Sequence, residues 1–403
     1  MARMMGTREP SEEELRQNIM KRLASLPHSI RKRYNVQGTD FTPTNSFSDE
    51  GTLNLHTEGI EDSDDSGSNN TTLAENSLHL DIVGIDTSYT ATIQIGSPPR
   101  DFSILMDSGS GDFWARVGSE ACISEEDGNG CGDHIFLGEL SSATFLDSKK
   151  PWDITYGSGH ANGTKVQDDV VIAGLTLSGH QFGVADFESK QFADQKAPFD
   201  GLMGLGRSSL STQKVLTPPE ALAAQGLISE AITSYKISRR KDGTDDGEIT
   251  FGRNTLVTVP NVNQVGFWEV DLDDSAVGGV STGLRSRTAI LDTGTTLFVG
   301  PPDDVETIHS MIDGAEQDGQ GGFTVPCDTN ATVSLTIGGR EFAIDSRDLA
   351  FGNLGNGRCI SGIAAGAVNE NNPTQYLVGD TFLKNVYLST NVDKNEISLA
   401  KLL

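Results

Sequence analysis

The segment Ile104-Leu105-Met106-Asp107-Ser108-Gly109-Ser110 returns 185 residues later as Ala289-Ile290-Leu291-Asp292-Thr293-Gly294-Thr295. Each apolar run places its aspartate at the end of a buried strand. Glycine permits the tight turn beside it, and a hydroxyl on either side can hydrogen-bond a carboxylate. Two halves that fold alike around these segments bring Asp107 and Asp292 together.

Further repeats support the pairing. Leu202-Met203-Gly204 follows the first aspartate, within Phe199-Asp200-Gly201-Leu202-Met203-Gly204, and Leu377-Val378-Gly379 follows the second, within Tyr376-Leu377-Val378-Gly379-Asp380. On these residues, from about Ser77 to Leu403, the chain resembles the pepsin-like aspartic peptidases. In that family each lobe carries an Asp-Thr/Ser-Gly loop with an apolar-apolar-Gly segment threaded behind it. The resemblance implies a bilobal fold of two pseudo-symmetric, barrel-like lobes with a few short helices. The expected lobes are residues 77–240 and 241–403, joined near Arg239-Arg240-Lys241-Asp242-Gly243. The residues read the same way: glycine is abundant at 45, Val/Ile/Thr runs are short, and from Ser77 onward helical periodicity is scarce apart from Glu220–Tyr235, so the class is all-β.

Two carboxylates at ~4 Å repel by about 4 kcal/mol at an effective dielectric near 20, or roughly three pKa units. Such a pair shares one proton over a wide acidic range. The charged member can take a proton from water while the protonated member donates to a peptide carbonyl oxygen, giving a tetrahedral diol that collapses as the amine leaves. The two groups titrate as a unit, so the base is not assigned to either. Ser110 and Thr295 are expected to hydrogen-bond the outer oxygens of Asp107 and Asp292, with Gly109 and Gly294 in the turns.

Between the first aspartate and its apolar partner, Trp152-Asp153-Ile154-Thr155-Tyr156-Gly157-Ser158-Gly159 reads as a strand entering a Gly-rich hairpin. The resemblance makes this the flap over the cleft, with Tyr156 its tyrosine and Trp114 the tryptophan whose indole N–H faces that hydroxyl. Ser158 stands where some fungal relatives carry an Asp that attracts substrate Lys, which implies a preference for bulky apolar side chains on both sides of the scissile bond. Asp112 places a further acid near the cleft, where it is expected to act on the pH optimum. Leu388-Ser389-Thr390-Asn391 replaces a more apolar strand of the family and leaves local packing there in question.

With 57 acidic and 30 basic residues, the net charge of −27 opposes nucleic acid as a partner. It suits work at low pH, where protonation relieves self-repulsion. Cys122/Cys131 and Cys327/Cys359 form two sequence-local pairs without C-x-x-C spacing. Two disulfides in an oxidising compartment are expected, four free cytosolic thiols being the alternative. Both positions match loop disulfides of the family, and a third pair found in many relatives is missing. Residues 1–30 hold no apolar leader core; the expectation of a secreted or vacuolar protein takes the leader to have been left off this sequence, a protein that is not conventionally secreted being the alternative. No membrane span is expected.

Residues 1–76 read as a prosegment and an acidic linker. Arg16 to Arg33 holds six basic residues and no acidic one, whereas Asp40 to Glu75 holds nine acidic residues and no Lys or Arg. Leu15, Ile19, Leu23 and Leu26 form a helical stripe. Arg33-Tyr34 resembles the basic-Tyr pair with which such prosegments plug the cleft, a dibasic processing site at Arg31-Lys32-Arg33 being the competing reading. Asn69, Asn70, Asn162 and Asn330 begin N-x-Thr sequons. The seven histidines show no metal-ligand spacing, and Asp62-Ser63-Asp64-Asp65-Ser66-Gly67 lacks the closing Glu of a calcium loop, Leu73 standing in its place. No metal or cofactor is expected.

The expected activity is that of a monomeric aspartic endopeptidase zymogen, acting at acidic pH on protein or peptide substrates. The rival from another class is a catalytically silent relative that binds proteins through the same cleft, which would not need Asp107, Asp292, Ser110, Thr295 and Tyr156 together. An acidic storage or wall protein would need none of them.

Overall fold

The computed structural model describes residues 73–402 apart from 85, 117–121, 126–130, 132–133, 136, 158, 194–196, 253–256, 319–321 and 370–371. Arg33, Tyr34, Asn69, Asn70 and Ser158 therefore lie outside the described residues.

Among the described residues strands dominate, in five sheets. A nine-stranded sheet is built from residues between Asp81 and Gly204. Its long hairpin pairs His160–Ile172 with Leu175–Glu188, and Leu146–Thr155 lies on its edge. Along His160–Ile172 nearly every second residue is buried, the period of a strand with one face on the core. A five-stranded and two four-stranded sheets use residues between Glu269 and Val378. The six-stranded sheet, in contrast, joins Ser77–His79 to strands between Ile232 and Pro260 and to Val386–Asn391 and Glu396–Lys401, so it draws from both sides of residue 240.

The periodicity at Glu220–Tyr235 yields only the short helix Pro218–Ala224, followed by the strand Ile232–Lys236. Proline starts the helix, and the Glu220 carboxylate accepts the Thr217 N–H at 3.0 Å. Gly226, at φ +70°, ends it: the Leu227 N–H bonds the Leu222 carbonyl and the Gly226 N–H bonds that of Ala223. The β-branched and aromatic residues of Ile232–Lys236 then pair on both edges, a tertiary environment that overrides the helical spacing. The polar strand at Leu388–Asn391 is also accommodated. Leu388 is buried, the Ser234 hydroxyl donates to Ser389 Oγ at 2.8 Å, and Asn391 donates to Glu230 at 2.9 Å.

Cys122 pairs with Cys131 and Cys327 with Cys359, and no cysteine is free. The bridges close loops of 9 and 32 residues. Chain-entropy arguments predict that removing the second by double Ser substitution costs about 4 kcal/mol and removing the first about 2.5. Denaturant unfolding of the two variants checks that order. Asn330 is exposed, whereas Asn162 is half-buried within a paired strand. No helix among the described residues is long and apolar enough to cross a membrane.

Candidate active site

Asp107 ends the strand Arg100–Asp107, and the segment Gly201–Gly204 runs parallel to it with Gly204 beside Asp107. The same segment pairs antiparallel with Phe113–Arg116. Around Asp292 the arrangement repeats: Gln375–Val378 lies parallel to Arg287–Leu291 and antiparallel to Phe298–Gly300. The apolar-apolar-Gly segments thus buttress the strands that carry the aspartates. Backbone bonds complete the brace, from Leu205 N–H to the Asp107 carbonyl (2.7 Å) and from Asp292 N–H to the Val378 carbonyl (3.0 Å).

The two turns meet face to face. A Cβ on Gly109 would sit 2.4 Å from Asp292 Oδ1, and one on Gly294 would sit 2.6 Å from Asp107 Oδ1. Only glycine tolerates this approach of each turn to the opposite carboxylate. The hydroxyls that follow the aspartates join the turns reciprocally. Ser108 N–H donates to Thr293 Oγ1 and Thr293 N–H to Ser108 Oγ, each at 2.9 Å. The same hydroxyls donate onward, Ser108 to the Leu291 carbonyl (3.2 Å) and Thr293 to that of Met106 (3.0 Å). This cross-link is the part of the site that sequence reasoning missed. The only signal for it was that both turns carry a second hydroxyl. Ser108→Ala or Thr293→Ala strands a buried N–H, and each is expected to cost about 1–3 kcal/mol. Equal losses in thermal unfolding, with no further loss of the reciprocal bond in the double variant, would check the pairing.

Donors to the carboxylates are unequal. Gly109 N–H reaches Asp107 Oδ1 at 2.8 Å, and Gly294 N–H reaches Asp292 Oδ1 at 2.8 Å. Thr295 adds its hydroxyl to Asp292 Oδ2 at 2.7 Å. At Asp107 the buried Ser110 hydroxyl likewise favours the ionised carboxylate, but without the short, well-aligned bond that Thr295 makes. Burial pushes both pKa values up, and for Asp107 the neighbouring Asp292 charge pushes further. The Thr295 hydroxyl favours the ionised form of Asp292.

Above the turns stands the hairpin at Tyr156–Gly159, closed by the Tyr156 N–H on the Gly159 carbonyl (2.7 Å). The Trp114 indole N–H donates to the Tyr156 hydroxyl at 3.0 Å. Burial first, then the charges of Asp112 and Asp107, raise the Tyr156 pKa well above its ordinary value, so the hydroxyl stays neutral. Asp112 itself is fully buried rather than lining the cleft. It accepts from the Ser211 hydroxyl (2.7 Å), both donors of Thr212 (2.9 Å each) and Gln213 N–H (3.1 Å), which anchors that loop under the hairpin.

Comparison with known proteins agrees with this geometry. The chain is 35% identical over 338 residues to a probable aspartic-type endopeptidase of Arthroderma benhamiae, covering 81% of this chain and 63% of that protein. It is 34% identical over 329 residues to rhizopuspepsin of Rhizopus chinensis, covering 79% of each. It is 32% identical over 329 residues to pepsin F of Oryctolagus cuniculus, covering 78% and 81%. The chain thus spans less than two thirds of the length of the Arthroderma protein. Residues 88–402 match the eukaryotic aspartyl protease family, to which this chain belongs.

Proposed function

We propose that this protein is an aspartic endopeptidase with Asp107 and Asp292 as its catalytic pair. The observation that carries this reading is the convergence of two buried carboxyl groups from cross-linked, glycine-floored turns beneath a tyrosine hairpin. Ionised Asp292 accepts a proton from the attacking water, and protonated Asp107 donates to the scissile carbonyl oxygen. The diol that forms collapses with proton return to the amine. Raised pKa values keep one proton on the pair across the acidic range, which supports acidic operation. Trp114, Tyr156 and Phe192, packed with Phe199 in one apolar cluster next to the aspartate pair, support a preference for bulky apolar substrate residues. The two disulfides support passage through an oxidising compartment, to the medium or a vacuole. Incubation with a denatured protein at about pH 4, with and without pepstatin, tests the reading. Pepstatin-sensitive cleavage at apolar junctions supports it, whereas pepstatin binding without cleavage would favour a silent binding protein.

The basic segment Arg16–Arg33, facing a net-acidic enzyme, supports autoinhibition by Arg33 and Tyr34. Its cations pair with ionised carboxylates at neutral pH and lose that hold as acid neutralises them. A chain beginning at Ser77 is expected to bind pepstatin near neutral pH while the full chain resists until acidified. Equal affinities at pH 7 would show that residues 1–76 are only a processing leader or tail.

A further inference from the structure

Behind the hairpin lies an ion pair that the catalytic reading does not use. Arg116 Nε stands 3.0 Å from Glu188 Oε1, and the two side chains are 1% and 0% exposed. Arg116 also donates through Nη2 to the Phe192 carbonyl, and its guanidinium lies over the Phe199 ring, 5.3 Å from the centroid. The charged groups around it are Glu188 and Asp200, the latter held by His134 at 3.2 Å. The Cys122–Cys131 sulfurs and the Glu188 carboxylate lie within 4.8 Å of one another, so the disulfide covers the pair's outer side.

What the pair holds is the short helix Lys190–Ala193. Ala193 packs on the disulfide, and Phe192 turns the other way into the cluster beneath the hairpin. The Phe192 ring centroid is 5.7 Å from both Trp114 and Tyr156, meeting Tyr156 edge-on. Ser189 ties the helix to the hairpin base, its N–H on the His160 carbonyl (2.9 Å) and its hydroxyl accepting the His160 N–H (3.0 Å). A Cβ on Gly159 would lie 2.3 Å from that hydroxyl and 3.5 Å from the Phe192 ring, so the hairpin rests directly on this support.

We propose that the buried Arg116–Glu188 pair is a positioning element of the substrate cleft: it fixes Phe192 against Tyr156 and so sets affinity on the hairpin side. The inference rests on the peptidase reading above. A buried ion pair suits this task because its energy depends steeply on geometry, whereas apolar contacts alone leave a four-residue helix free to slide. The pair holds the orientation of Phe192 and takes no part in proton transfer.

The test is the neutral double variant Arg116→Met/Glu188→Gln, which leaves no unpaired buried charge, compared with Phe192→Leu. In each, KM for a peptide with bulky apolar residues is expected to rise about tenfold while kcat stays within about twofold, the mark of lost binding shared by ground and transition states. Combining the two should add little, since both act through one ring. An unchanged KM in Phe192→Leu, or in a folded double variant, overturns the proposal. Equal losses in kcat and kcat/KM overturn it as well. Amide exchange supplies a readout independent of catalysis: the Tyr156 N–H should exchange faster in the variants, while Ile232–Lys236 stays protected. A wild-type protein without peptidase activity defeats the functional reading alone. The positioning claim then stands or falls on that exchange.

Discussion

Asp107→Asn and Asp292→Asn are each expected to lower peptide-bond hydrolysis by on the order of 10⁴-fold, the upper range for loss of a positioned acid or base. The double variant should be no worse than either single one, because the two carboxyls act as a unit. Folding should survive. Burial raises the folded pKa of both groups, so the stability they allow is fully present below the unfolded value near 3.8 and is lost as pH rises through the folded values. An amide cannot ionise and escapes that loss. Either Asn variant should therefore melt above the wild type at pH 7, with the gap closing toward pH 3. Single-turnover rates and melting curves across this range check both halves. Near-wild-type turnover in either variant would remove the dyad assignment.

Lys384→Met is expected to destabilise the fold by about 3–5 kcal/mol at neutral pH, the usual cost of removing one partner from a buried charge cluster, and to lower Tm by roughly 10 °C. Lys384 is 2% exposed. Its ammonium lies 2.9 Å from Asp348 and 3.2 Å from Asp86, while Arg239 holds Asp348 at 2.7 Å. These residues join the start of the described chain, the segment after Lys236, and the C-terminal region. Asp380 is buried among them with both oxygens unpaired, and its pKa is raised well above normal, by burial above all and against the pull of Lys384. The sign follows: a raised carboxyl pKa means stability that is complete in acid and fades as pH climbs. Without Lys384 the folded pKa of Asp380 rises further, so the fading extends to higher pH and the defect is larger above the wild-type folded value than at pH 4. A melting difference independent of pH would count against this account.

What could be read from the chain follows the range of the forces involved. The strands leading to Asp107 and Asp292 were legible because an apolar run, an acid and a glycine act within seven residues. Glu220–Tyr235 was misleading because its helical spacing competes with edge pairing to strands far away in sequence. Tyr156 and Trp114 were connected only through a family resemblance, 42 residues separating the two ends of their hydrogen bond. Arg116 and Glu188 gave no signal, since a lone Arg and a lone Glu 72 positions apart ordinarily face solvent. Asp112 read as a cleft acid and proves to be a buried anchor, because its donors come from residues about 100 positions later.

By itself the sequence determined that two like turns exist, that each carries a carboxyl followed by two hydroxyls flanking a glycine, that this glycine floors the turn, and that the chain is a β-rich member of the pepsin-like class. Tertiary structure alone decided that Ser108 and Thr293 bind the turns to each other and that Thr295 sets a short bond on its carboxylate. The physical reason is that desolvation, mutual repulsion and hydrogen-bond direction vary over tenths of an ångström. None of these has a value until the segments carrying the two aspartates close on one another.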